Sequence, residues 1–464
     1  MKFFTIILLL SIGISNPVMA QENEDLKSVE MIFEEALSDN TAYESLRYLS
    51  KEIGGRLPNS SEARAAVKFT AELMKSAGAD TIFYQEMMVR NWIRGEETAS
   101  LISGVHGTRE VIISDLGMAV PTGPEGIQTK VIEVNGIEEL ELLGEEAIRD
   151  RIVFFNHPMD PALKSTFTAY GRAAGQRVQG PSAAAKYGAV AAVIRSLTLA
   201  TDEYPHTGVT RYEEGVPKIP AVCICTAHAD LLSEWLKSDP DLEFFFRTTN
   251  RLLPDVESYN VIGEIRGTEY PDEYIIIGGH LDAWDTGEGA HDDGVGCIQS
   301  IEVLRIFTEL GIKPKHSIRA VMFMDEEVSG TGSVTYAEHV RSSGEKHLLA
   351  IECDRGGTSP AGFYIDAPDE TIARIAQWKP LFLPYGIHLF TRGGSGADVG
   401  RLKEFSTVLI GYLPDTNRYF DYHHSPNDTF EKVNKREMQL GSAANTALIF
   451  LIDKYGLDQD QSKK

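Results

Sequence analysis

Five short stretches in the second half of this 464-residue chain carry the side chains that bind divalent metals and move protons. They are His280-Leu281-Asp282, His291-Asp292-Asp293-Gly294, Asp325-Glu326-Glu327, Cys353-Asp354 and His423-His424-Ser425-Pro426-Asn427-Asp428. Each alone has an ordinary explanation. A single histidine at a strand end is commonly a hydrogen-bonded structural residue, and Asp-Asp-Gly is commonly a turn or a helix cap. Brought to one place, however, these carboxylates would repel one another at a cost that a cation removes. Mixed histidine and carboxylate donors suit zinc. The candidates exceed the three protein ligands usual for a single catalytic zinc. A carboxylate bridging two ions would let five side chains serve both. Two ions about 3.5–4 Å apart can clamp an attacking hydroxide and a developing oxyanion.

The elements that must position these residues are legible as an alternation. Strand patterns at Tyr274–Gly278, Ser317–Met324, His347–Glu352 and Thr407–Tyr412 are interleaved with helical patterns. The helices are expected at Gly294–Leu310, Ser329–Arg341, Glu370–Leu383 and Lys435–Asp453. Such alternation predicts an α/β layer fold with a largely parallel sheet. In open sheets of this kind ligands bind beyond the carboxyl ends of the strands, which is where the five stretches fall. Upstream, helices are expected at Ser28–Leu37, Thr41–Ile53 and Ser61–Ala77, the last with Asn59-Ser60-Ser61 as caps. A strand at Thr81–Val89 follows. Residues 118–247 differ in texture, with strands at Gln128–Val134, Arg151–Phe155, Ala189–Ile194 and Ala221–Cys225.

The order HxD, DDG, EE, a later Asp, then HSxxD resembles that of the co-catalytic zinc exopeptidases, the family of aminopeptidase Y and the glutamate carboxypeptidases. The stretches His280–Asp285 and Asn417–Ser425 are similar to its plasma glutamate carboxypeptidase subgroup. The resemblance implies a three-layer α/β zinc-exopeptidase fold with a mostly parallel central sheet. It implies two zinc ions, with His280 and Asp354 on one, Glu327 and His424 on the other, and Asp292 bridging. Glu326 would be the general base on a bridging water, and Asp282 would hydrogen-bond His280 and fix its tautomer. Asp293 is an alternative bridge and His423 an alternative ligand. His291 is expected in a loop, Asp428 as a support or cap, and Asp285 as a loop support or a turn residue. The loop Gly393–Asp398 resembles one near the active site in the subgroup. Arg151–Phe155 and Ala184–Val193 resemble parts of a protease-associated (PA) domain, a β-rich insert. Residues 118–247 would then interrupt a peptidase domain made of 21–117 and 248–464.

Composition narrows the class of protein. The chain is 42% hydrophobic and 24% charged, as globular proteins are, and its net charge of −24 repels nucleic acid and anionic lipid. Met1-Lys2, an apolar run Phe3–Ile14 and the small-residue site Val18-Met19-Ala20 read as a signal peptide of residues 1–20. A secreted or periplasmic protein with no membrane span is expected. Cys223, Cys225, Cys297 and Cys353 are expected to be free. The function expected is hydrolysis of dipeptides or short peptides. The alternatives are an aminopeptidase on longer peptides, a single-zinc glutaminyl cyclase or a non-catalytic receptor. A homodimer is compatible with the sequence. The sequons at Asn59 and Asn427 carry no assigned modification.

Overall fold

The computed structural model describes residues 17–405 and 407–457. The apolar run Phe3–Ile14 read as an export signal lies outside them, as do residues 458–464. Two eight-stranded sheets organise the described residues. The larger has the order Thr81–Ile93, Arg251–Ile265, His316–Phe323, Tyr270–His280, Lys346–Glu352, Val408–Pro414, Pro360–Asp366, Leu389–Arg392. Its middle strands, from His316–Phe323 through Val408–Pro414, run parallel, and antiparallel pairings flank them.

The middle strands each carry a buried apolar run, because helices cover both faces. Alternate side chains divide between two cores. Ile275, Ile277, Ala320, Met322 and Ile351 pack under helices Pro17–Ser38, Ser61–Ser76, Val295–Glu309 and Lys435–Tyr455. Ile276, Val321, Ala350 and Leu409 face helix Thr331–Ser343 and the turn Val399–Phe405. This is the three-layer α/β arrangement. The parallel register sets His280 beside Phe323 and Gly278 beside Glu352. The chain therefore leaves three neighbouring strands at one level, and the five stretches start from that edge.

The second sheet has the order Gly107–Glu110, Glu97–Ser103, Glu243–Thr248, Ile127–Val134, Ile152–Phe155, Ala191–Arg195, Ala221–Ile224, Ile113–Asp115. Its first strand begins at Glu97, upstream of the change in texture at Met118. Glu97 pairs with Thr248, and Ile113–Asp115 pairs with the strand at Ala221. These early strands are short or carry polar, exposed faces, so no alternation marked them.

Helix Ser61–Ser76 starts where its cap predicts. The Ser60 hydroxyl accepts from the Ala63 N–H at 2.9 Å. The helix expected over Glu370–Leu383 breaks into Asp369–Ala376 and Lys379–Phe382, because Pro380 cannot donate within a continuous helix. Helix Thr41–Arg47 gives way to a π turn, Tyr48–Ile53. The four cysteines are free and buried. No described helix is long and apolar enough to cross a membrane. Both sequon amides are engaged: Asn59 Nδ2 donates to Asn91 and to the Trp92 carbonyl, and Asn427 Nδ2 to the Asp421 carbonyl.

Candidate metal centre

His280 ends the strand Tyr270–His280 and is buried. Its Nε2 lies 3.2 Å from Asp292 Oδ1 and 3.6 Å from Asp354 Oδ1. Asp292 lies in the π turn that precedes helix Val295–Glu309, and Asp354 follows the next parallel strand. On the other side of Asp292, His424 Nε2 stands 3.4 Å from Oδ2 and 2.9 Å from Glu327 Oε2. Asp292 thus belongs to two groups of donor atoms, one with His280 and Asp354, the other with His424 and His423. Glu326 lines the same cleft, with Tyr170, Arg177, Arg211, Tyr419 and Phe420.

The donors suit zinc. All are imidazole nitrogens or carboxylate oxygens, and a histidine nitrogen faces a carboxylate oxygen in each group. Asp292 Oδ2 and Glu327 Oε1 are buried without a hydrogen-bond partner, which carboxylates rarely tolerate unless a cation meets them. His424 approaches both Asp292 and Glu327. The His423 ring, stacked on His424 at 3.5 Å between centroids, approaches Asp292 alone at 3.7 Å.

The remaining candidates have other partners. Asp293 Oδ2 accepts the His280 main-chain N–H at 3.1 Å, behind the strand end. His291 accepts the Gly357 N–H at 3.2 Å and stacks on Tyr422. Asp428 accepts from the main-chain N–H of His291 at 2.7 Å and of Asp292 at 3.1 Å, so it fixes the turn that carries Asp292. Asp285 pairs with Arg94 at 2.8 Å. The loop Gly393–Asp398 lies behind the site, where Val399 N–H donates to Glu352 Oε2 at 2.7 Å.

Asp282 differs from the role the resemblance implies. Its carboxylate accepts the N–H groups of Glu326 at 3.1 Å and Glu327 at 3.2 Å and is 3.9 Å from His280 Nδ1. The partner of Nδ1 is the Asp282 main-chain carbonyl, at 2.9 Å. Two buried N–H groups at the Glu326–Glu327 turn need an acceptor, and this carboxylate is the one within reach. Asp282 so orients the ring with its backbone and the Glu-Glu turn with its side chain.

Three groups at the site carried no signal in the sequence. The Trp284 indole donates to Glu327 Oε2 at 2.6 Å. The Thr207 carbonyl, on the inserted unit, lies 3.1 Å from His424 Nδ1. Arg56, fully buried, donates to the carbonyls of Gly54, Leu281, Glu288 and Gly289 and so braces the loop around Trp284. Trp284 stood inside a quoted motif, but nothing in its type announced contact with a carboxylate. Thr207 acts through its backbone, which no side-chain pattern records.

Burial and charge set the protonation of the cluster. Burial opposes a charged His280 ring, yet the facing Asp292 and Asp354 carboxylates hold its pKa well above the usual value. Asp292, although buried, is held well below the usual carboxyl range by the hydrogen bond from His280 and the His423 and His424 rings. Burial lifts Glu326 to about 8, against the pull of His280 and with Asp354 and Asp282 adding to the rise. Burial also pushes Glu327 and Asp293 up and His424 down.

These shifts have a stability consequence. Between about pH 6.5 and 8 the folded chain holds protons on Glu326 and His280 that the unfolded chain has released. Folded pKa values raised in this way stabilise below the unfolded values, and the benefit is lost as pH rises through the folded ones. The buried histidines with lowered pKa, neutral in the fold but still about half protonated in the unfolded chain at pH 6.5, offset part of the loss near the low end of the window, while burial that raises Glu327 and Asp293 adds to it. Metal-stripped protein is therefore expected to melt at a lower temperature at pH 8 than at pH 6.5. Saturating zinc is expected to shrink the difference, because a cation replaces the protons. Thermal unfolding with and without zinc checks both statements. An apo melting temperature that rises over this window counts against them.

Comparison with known proteins gives a consistent result. The model of peptidase family M28 matches residues 260–449. Carboxypeptidase Q of Bos taurus is 30% identical over 416 residues, covering 89% of this chain and 86% of that protein. The Homo sapiens protein of the same name shows the same identity and coverage. Among solved structures, a peptidase M28 precursor from Shewanella amazonensis is 30% identical with a TM-score of 0.89, covering 93% of this chain and 97% of that one. A zinc aminopeptidase from Bacillus subtilis shares the fold at 18% identity and a TM-score of 0.64, covering 90% of this chain and 96% of that one.

Proposed function

The chain belongs to peptidase family M28 and is a zinc metallopeptidase related to carboxypeptidase Q, and from that premise we propose that it is an exported exopeptidase using two zinc ions to hydrolyse dipeptides or short peptides. The observation that carries this reading is Asp292, a single buried carboxylate facing His280 and Asp354 on one side and His424 with Glu327 on the other. On this reading His280 and Asp354 would hold one ion, Glu327 and His424 the other, and Asp292 would serve both.

Zinc, when bound, supplies Lewis acidity that polarises the scissile carbonyl and makes water nucleophilic at neutral pH. The chain does the rest. Glu326 takes the proton from the attacking water and returns it to the leaving amine. A carboxyl raised toward neutrality suits both transfers. Asp282 holds the Glu326 and Glu327 main chain, so the base and its neighbouring ligand diverge from one fixed turn. Residues 97–248 form a PA-like insert that brings Phe167, Tyr170 and Arg177 to the cleft, narrowing it and excluding water. Arg177, which lines the cleft, supplies a cation there with which a substrate carboxylate can pair. That supports end recognition through a free C-terminus.

The test is hydrolysis by zinc-loaded mature protein of a dipeptide panel in free, N-acetylated and C-amidated forms. Cleavage of only the doubly free forms is expected. Tolerance of the C-amide but not the N-acetyl group would make the protein an aminopeptidase, and the reverse a carboxypeptidase. No cleavage of any member, with zinc bound, would overturn the dipeptidase reading.

A further inference from the structure

The two halves of the cleft are held by different parts of the molecule. The His280 half is built chiefly by the larger sheet; its one link toward residues 97–248 is the long 3.4 Å hydrogen bond from the Tyr419 hydroxyl to Asp354, Tyr419 being stacked on Phe167. The His280 ring rests on the Asp282 carbonyl, its main chain on Asp293, and Asp354 continues a neighbouring parallel strand. The His424 half leans on the inserted unit. The Thr207 N–H donates to the His424 carbonyl at 2.9 Å, while the Thr207 carbonyl meets His424 Nδ1 at 3.1 Å. One residue earlier, His206 Nδ1 meets the His423 carbonyl at 2.7 Å. Thr207 is itself tied down inside the insert, where its hydroxyl donates to the Asp115 carbonyl at 2.5 Å.

The other member of that half has the same dependence at one remove. Glu327 Oε2 is fixed by the Trp284 indole. Trp284 packs with Trp92, Met118 and Val209, and its ring lies so close to Gly117 that a Cβ there would fall 2.1 Å from it. Gly117, Met118 and Val209 all belong to residues 97–248. A histidine that binds metal through one ring nitrogen needs a partner on the other to set tautomer and direction, and losing such a partner typically costs 10–100-fold in metal affinity.

We propose that the inserted unit sets the metal affinity of the Glu327–His424 half-site, through the Thr207 carbonyl and the cage around Trp284, while the His280–Asp354 half-site does not respond to those two contacts. The inference rests on the two-ion reading above. Thr207 and Trp284 are positioning residues: they act through His424 and Glu327. Linkage makes the effect reciprocal, so filling this half-site must tighten the insert against the sheet to the same degree.

The test compares Thr207→Val and Thr207→Ser in the full-length mature chain. Zinc content and affinity are measured by competition with chelators of graded strength. Val removes the hydroxyl that anchors Thr207 and Ser keeps it. The expected result is one ion bound about 10–100-fold more weakly in Thr207→Val, the other unchanged, and near-normal binding of both in Thr207→Ser. Trp284→Phe, which keeps a ring but loses the indole N–H, is expected to weaken the same ion. Equal weakening of both ions, or of neither, in folded Thr207→Val overturns the proposal. Should that variant fail to fold, hydrogen exchange on the wild-type chain decides. Protection across residues 204–210 is expected to rise on binding the second equivalent of zinc, and protection that does not respond to it overturns the proposal. A wild-type chain that never binds more than one ion sinks the two-ion reading itself. Two ions with no response to Thr207 sinks this inference alone.

Discussion

Glu326→Gln is expected to lower kcat by about 10²–10⁴-fold while both zinc ions stay bound. The substitution keeps the shape of the side chain and removes only its capacity to take a proton. Glu326 lines the cleft, while it is its neighbour Glu327 that meets His424, at 2.9 Å. The Glu326 main-chain N–H, which Asp282 accepts, is untouched by the change. Steady-state kinetics on a cleaved dipeptide, together with zinc analysis of the same sample, reads both halves of the expectation. A variant that stays fully active shows that another group moves the proton. A variant that loses zinc along with activity shows that Glu326 is a ligand.

Asp292→Asn is expected to have the opposite signature, a loss of metal from which the loss of activity follows. Asp292 faces His280 with Oδ1 and His424 with Oδ2. A neutral amide of the same shape cannot present two anionic oxygens. Both half-sites lose a donor at once, and the effect should exceed the 10–100-fold that an outer partner is worth. Zinc content is expected to fall from two ions to none at free-zinc levels that load the wild type. The fold should persist, because Asp428 still accepts the main-chain N–H groups of His291 and residue 292. Retention of one ion at normal affinity would show that Asp292 serves a single half-site.

The carboxyl ends of the strands were legible in the sequence because the buried apolar runs of parallel, doubly covered strands stop abruptly at polar residues. His347–Glu352 gained one residue, whereas Tyr274–Gly278 marked only the buried middle of a strand that runs from Tyr270 to His280. The strand at Arg251–Ile265 was not legible, since Pro254, Asp255 and Glu257 interrupt any alternation on its exposed half. Its existence depends on the pairing with Thr81–Ile93, far away in the chain. At the site, side chains that coordinate by charge could be read from residue type and order. The Asp282 carboxylate could not be aimed correctly from sequence. Its direction is settled by which buried N–H groups lack an acceptor, and those appear only once the Glu326–Glu327 turn is formed. The Thr207 and Trp284 contacts join segments that share no pattern at all.

The pairing of Thr81–Ile93 with Arg251–Ile265 also bears on how such a molecule comes to vary. It sets Ile93 opposite Arg251, so the chain departs for the insert and returns from it at one spot on the sheet. Everything between is a loop whose ends are already joined. The entropy of closing such a loop grows only with the logarithm of its length, roughly 0.6 kcal/mol for each doubling. Lengthening, trimming or exchanging the insert would leave the register of the central strands undisturbed, and with it the His280 side of the cleft. Change in this region would be registered first at His424.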